Sequence, residues 1–151
     1  MAMERITMGI VLAVAATGLL AGVLVSGLLV ANRTVSNTGN VKTIGVEAYW
    51  DSTCTNRVSS IDWGLLEAGG SKAICIYVKN NGTAAETLSM ATSSWNPSTS
   101  SSQISLIWNC TSYALAHGSV IGALLTLSVS STISGISSFS FDILITGAES
   151  T

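Results

Sequence analysis

Ile121-Gly122-Ala123-Leu124-Leu125-Thr126-Leu127-Ser128-Val129 is the stretch whose reading decides the fold. Ile121, Ala123, Leu125, Leu127 and Val129 recur at every second position, the period of an extended strand with one buried face. The same spacing returns on either side of it. Phe139, Phe141, Ile143 and Ile145 carry it toward the C-terminus. Toward the N-terminus it is carried by Ile104, Leu106 and Trp108, by Leu88 with Met90, by Ile74, Ile76 and Val78, by Ile61, Trp63 and Leu65, and by Ile44, Val46, Ala48 and Trp50. Turn-forming residues separate these runs at Ala68-Gly69-Gly70-Ser71, Asn80-Asn81-Gly82 and Asn96-Pro97. Seven one-faced strands bury their apolar sides best as two packed sheets, so the expectation is an all-β, seven-stranded immunoglobulin-like β-sandwich over residues 43–147. On this phase Trp50, Trp63 and Trp108 face the core. Trp95 is left as the partly exposed tryptophan and a candidate contact residue.

Upstream, the run from Ile6 to Asn32 holds no charged residue and is bracketed by Arg5 and Arg33. At about 1.5 Å per residue it is long enough to cross a hydrocarbon core of roughly 30 Å as one helix. The chain therefore divides into an apolar helix over 1–32, a linker over 33–42, the sandwich over 43–147 and a tail over 148–151. Three fates of the helix stay open: retention as a signal anchor, cleavage after Ala31, and cleavage before Ile6. Gly18, Gly22 and Ser26 recur at four-residue spacing on one helix face, where small side chains let backbones approach closely, so this face is a candidate for self-association.

The segments Trp63-Gly64-Leu65-Leu66-Glu67-Ala68-Gly69-Gly70-Ser71 and Ile74-Cys75-Ile76-Tyr77-Val78-Lys79-Asn80-Asn81-Gly82 resemble the immunoglobulin-like modules of archaeal and bacterial surface proteins and filament subunits. A Ser/Thr-rich sandwich after an apolar N-terminal helix is also similar to archaeal type IV pilins. That second resemblance implies cleavage near Arg5-Ile6 and helices bundled into a filament core.

Composition narrows the classes further. The formal charge is -2 and charged residues make up 9% of the chain, against about 25% in ordinary soluble domains. No basic patch is present, so nucleic acid is excluded as a partner. The expected partners are membrane lipid, further copies of the helix, and a surface glycan or protein. The expected location is the cell membrane with the C-terminal domain outside, or an extracellular filament. Sequons at Asn32, Asn81 and Asn109 are candidate glycosylation sites in that location. The single histidine, His117, falls beside Gly118 in a turn, and no G-x-S-x-G elbow occurs. Carboxylates are dispersed without a calcium-loop spacing, so no enzyme, cofactor or metal site is expected. Of the three cysteines, Cys54 and Cys110 lie at strand ends. A bridge between them would close a loop worth about 4 kcal/mol in the chain-entropy model. The expectation is a Cys54–Cys110 disulfide with Cys75 free.

Overall fold

The computed structural model describes residues 34–150, which belong to the unit Arg33–Thr151, distinct from Met1–Asn32. The expected N-terminal helix, its Gly18, Gly22 and Ser26 face, and Asn32 lie outside the described residues. The described chain forms nine strands: β1 (Thr34–Ile44), β2 (Val46–Tyr49), β3 (Ser60–Glu67), β4 (Ser71–Asn80), β5 (Glu86–Asn96), β6 (Ile104–Trp108), β7 (Ala114–Leu115), β8 (Val120–Val129) and β9 (Ser138–Glu149). A 3₁₀ turn, Ser98–Ser102, joins β5 to β6. Two sheets result, one ordered β3-β1-β9-β5-β7 and the other β2-β4-β8-β6. All pairings are antiparallel except β1 with β9, which run parallel from Ser36↔Ser138 to Ile44↔Thr146.

The core follows the alternation where the strands are regular. Ile76 and Val78 of β4, Ala123, Leu125 and Leu127 of β8, and Phe141, Ile143 and Ile145 of β9 are all but fully buried, and Trp63 and Ile61 of β3 join them. Each such large side chain contributes about 1.5–3 kcal/mol relative to exposure. That sum is what holds the sheets face to face.

Two departures from the expected pattern trace to backbone irregularities. The single strand expected across 43–50 is two strands in different sheets, because Gly45 adopts φ +77 and turns the chain from β1 into β2. Ile44, at this corner, is 57% exposed, and Trp50, beyond the end of β2, is 38% exposed, so neither faces the core. Between β1 and β3 the register jumps from Asn37↔Gly64 to Thr38↔Asp62. The skipped residue is Trp63, and Gly64 sits at φ +67, a bulge that inverts the phase after it. Leu65 is consequently 68% exposed, and Leu66 takes its place in the core.

The segment 33–42, expected as a linker, supplies most of β1, and the expected tail is entered by β9, which runs to Glu149. Apolar alternation is missing in β1 because Asn37 and Gly39 occupy buried positions. A Cβ on Gly39 would lie 3.1 Å from Ile143 Cδ1 and 3.3 Å from Trp63 Nε1, so larger residues from neighbouring strands already fill that space. The strand count is nine rather than seven for two reasons: the split at Gly45, and the two-residue β7, too short to show a period.

Candidate functional site

Trp95, the candidate contact residue, is partly buried, as the alternation implied, although its surroundings give it a structural task. The β5–β9 register shifts between Ser93↔Asp142 and Asn96↔Ser140, and Ser94 adopts φ +55. That bulge turns the Trp95 ring inward. It stacks on Phe141 with ring centroids 4.2 Å apart and planes 7° apart, and lies 6.1 Å from Phe139. Its Nε1 donates to Thr92 Oγ1 at 3.3 Å. The ring covers the adjoining end of the core and presents only part of its surface to a partner. Nearby, a groove of about 300 Å³ runs between the 3₁₀ turn and the end of β8, lined by the serines Ser101, Ser102, Ser105, Ser128 and Ser130 with Gln103.

Both described sequon asparagines are exposed. Asn81 lies in the β4–β5 turn and its Nδ2 donates to Glu47 Oε2 at 2.5 Å. A glycan on that nitrogen would leave one N–H for this bond. Asn109 follows β6, and its Oδ1 accepts from the Leu124 amide at 2.8 Å, which orients the side chain along the edge of the second sheet. Glu47 also receives the Tyr49 hydroxyl and pairs with Arg57. The Tyr49 hydroxyl first, and the Arg57 charge after it, hold the Glu47 carboxyl below its usual range, while Glu47 pushes the Tyr49 phenol up.

The remaining acidic residues serve the fold. Asp51 caps the turn after β2, accepting from the amides of Thr55 and Asn56 and from the Thr53 and Thr55 hydroxyls. The Thr53 hydroxyl, followed by these amides, holds its carboxyl well below the usual range. Asp142 accepts from Lys42 Nζ at 2.7 Å, and this contact, ahead of a hydrogen bond from Ser94, lowers its carboxyl too. His117 is exposed in the turn before β8, with Nδ1 against the Gly82 carbonyl.

The expected Cys54–Cys110 disulfide is not formed, and all three thiols are free. Cys54, at φ +57 in the turn after β2, contacts the Ser52 carbonyl. Cys110 is instead buried, its Sγ 3.8 Å from the Gly122 carbonyl of β8 and 3.4 Å from Asn109 Oδ1. The two ends therefore pack on different parts of the sandwich. Burial, and secondarily Cys75, push the Cys110 thiol up. Cys75 is exposed on the outer face of the second sheet.

The two outer faces differ in character. On the first sheet, Ser140 and Asp142 of β9 flank Asn40 and Lys42 of β1 and Ser89 and Ser93 of β5. On the second, Cys75, Leu124 and Ile107 are exposed on three adjacent strands, with Val120 further along β8. The sequence alternation missed these apolar residues because it assigned the off-phase positions to solvent without weighing their chemistry. It also missed Glu86, although its spacing from Leu88 and Met90 places it on the buried phase. Among the described residues no group of three or more His, Cys, Asp or Glu converges on one point, and no helix is long and apolar enough to cross a membrane. Comparison with protein-family models and with curated proteins finds no match for the chain.

Proposed function

We propose that this protein is a cell-surface structural or adhesive subunit, held in the membrane by its apolar N-terminal helix and presenting an immunoglobulin-like β-sandwich outside. The observation that carries the reading is the position of β1. It begins at Thr34, one residue beyond the uncharged run and its flanking Arg33, and is paired on both sides, with β3 and with β9. In this reading a pull on the anchor is shared along two ladders of backbone hydrogen bonds. The hydroxyl-rich face suits contact with water and polar surface polymers. N-terminal sequencing of the protein from fractionated cells tests the reading. The expected result is membrane-bound chain retaining residues 6–32, and recovery as a soluble secreted protein beginning at Asn32 would refute it.

The second reading is a pilin-like filament subunit. It is favoured by the outer face of the second sheet, where Leu124 and Ile107 are exposed on adjacent strands beside Cys75; exposed apolar side chains grouped in this way suit contact with neighbouring copies. In this reading the Gly18, Gly22 and Ser26 faces pack in the filament core. Replacing Gly18 and Gly22 with Leu would abolish filaments seen by electron microscopy while the sandwich stays folded. Normal filament yield from that variant would exclude it. A third reading, a sugar- or protein-binding module using Trp95, draws on the ring's exposed portion and is tested by glycan-array binding of Trp95→Phe, which keeps an aromatic cover over Phe141.

A further inference from the structure

The outer face of the second sheet is apolar at its centre and carries a sequon at its rim. Leu124 is 44% exposed and Ile107 is 64% exposed on neighbouring strands, and the exposed Cys75 stands opposite Leu124 on β4. Two residues from Leu124 on the same face of β8, Gly122 presents no side chain. A Cβ there would meet only Cys75 Sγ and Tyr77 Cε1, each at 3.8 Å, so the sheet surface is low at that point. Apolar area left in water costs about 25 cal/mol per Å², which favours a cover over this face.

Asn109 lies at the edge of this face, two residues beyond Ile107, and both Asn109 and Thr111 of its sequon are exposed. Its Oδ1 accepts from the Leu124 amide at 2.8 Å and from Cys110 Sγ at 3.4 Å. The side chain is thereby held against the backbone of Leu124 through its carbonyl oxygen, and these bonds do not use Nδ2. Thr111 Oγ1 accepts from Trp108 Nε1 at 3.0 Å, which braces the Asn109-Cys110-Thr111 triplet. At Asn81 the amide is used the other way round, because its Nδ2 donates to Glu47. Asn109 is therefore the described sequon whose nitrogen can take a sugar without losing a contact that orients the side chain.

We propose that Asn109 is N-glycosylated and that its glycan lies over Leu124, Ile107 and the low surface at Gly122, covering the apolar face of the second sheet. In the transfer, Nδ2 forms a bond to the anomeric carbon of a sugar while the bond from that carbon to the phosphate of an activated sugar-phosphate donor breaks. Nδ2 gives up one of its two protons, and the phosphate leaves with the bonding electron pair. A separate glycosyltransferase carries out the step. Oδ1 takes no part in it, so the bond to the Leu124 amide continues to fix the direction in which the first sugar leaves the sheet. Leu124 is then adjacent and Ile107 about 7 Å away along the strand, within reach of the first two sugars, whose C–H faces suit aliphatic side chains. The inference rests on the reading that places the sandwich outside the membrane, where sequons are modified. It also takes this face away from the neighbouring copies of the filament reading.

Peptide mapping by mass spectrometry of the full chain, purified in detergent from its own cells, reads the attachment. A sugar mass is expected on the peptide containing Asn109, absent from Asn109→Asp and Thr111→Val and retained in Thr111→Ser. Asn109→Asp keeps an acceptor for the Leu124 amide. The cover is read with a maleimide carrying a bulky polymer. Such a reagent should label Cys75 of the folded protein several-fold faster in the two sugar-free variants than in wild type or Thr111→Ser. If neither variant folds, wild-type chain made in a host without the transferase supplies the sugar-free protein. A sugar-bearing chain whose Cys75 reacts as fast as that of the sugar-free protein would overturn the proposal. Protease added to intact cells separates the remaining failures: an unmodified Asn109 in a sandwich that protease reaches overturns the glycan alone, and a sandwich that it cannot reach overturns the outward placement as well. An unmodified Asn109 together with filaments lost in Leu124→Asp would give the face to a second copy instead.

Discussion

Replacing Gly45 with alanine, beside the same change at Gly118, tests whether the chain really switches sheets at residue 45. Both glycines have positive φ, +77 and +73, so alanine pays the same conformational cost at each. That cost is about 1–2 kcal/mol for a left-handed residue. It is offset by about 0.4–1 kcal/mol from the stiffer unfolded chain. Around Gly118 nothing lies within 4 Å of the added methyl, so Gly118→Ala should lose about 1 kcal/mol or less. At Gly45 the methyl would sit 2.6 Å from the Gly147 carbonyl oxygen, a backbone atom held within β9 that cannot swing aside. Crowding of this kind adds about 1–3 kcal/mol, giving a total loss of about 2–4 kcal/mol. Urea unfolding followed by tryptophan fluorescence reads the difference. At a slope of about 2 kcal/mol per molar, a gap of about 2 kcal/mol between the variants separates their midpoints by about 1 M. Equal midpoints would refute the reasoning, since the close approach of the β1–β2 corner to β9 would then not exist.

Trp95→Ala should lower stability by about 2 kcal/mol, a value below that of a fully buried tryptophan because the ring is only partly covered yet stacks on Phe141; an unchanged melting midpoint would count against the stack. Acidification should destabilise the fold. The carboxyls of Asp142, Glu47 and Asp51 are lowered in the folded state, so their contribution is complete above the ordinary values of 3.8 for Asp and 4.5 for Glu and is lost as pH falls through and below them. Lys42→Met, which removes the main cause of the Asp142 shift, should flatten the midpoint-against-pH curve in that window, and an identical curve would contradict this account. A maleimide should label Cys75 rapidly in the folded protein and Cys110 only after denaturation, with mass spectrometry counting three free thiols throughout; two thiols that resist labelling until reduced would restore a disulfide.

Alternation in the sequence determined the two-sheet fold and the inward faces of β4, β8 and β9, because in a regular strand the side-chain period is fixed by the backbone and every second residue must share a face. Where the backbone leaves that regularity, only the tertiary structure decided the outcome. Gly45 sits in phase with its neighbours and reads as one more strand position, yet its left-handed conformation sends the chain from one sheet to the other. The bulges at Gly64 and Ser94 exchange Leu65 for Leu66 and bring Trp95 onto Phe141, through contacts with β1 and β9 that lie far away in sequence. β1 was hidden because a core position can be filled from across the sheet: the volume above Gly39 belongs to Ile143 and Trp63. Glu86 shows the same division. Its phase was legible, but the convergence of Gly45, Gly82 and Gly147 on its carboxylate comes from three segments that meet only when the sandwich closes.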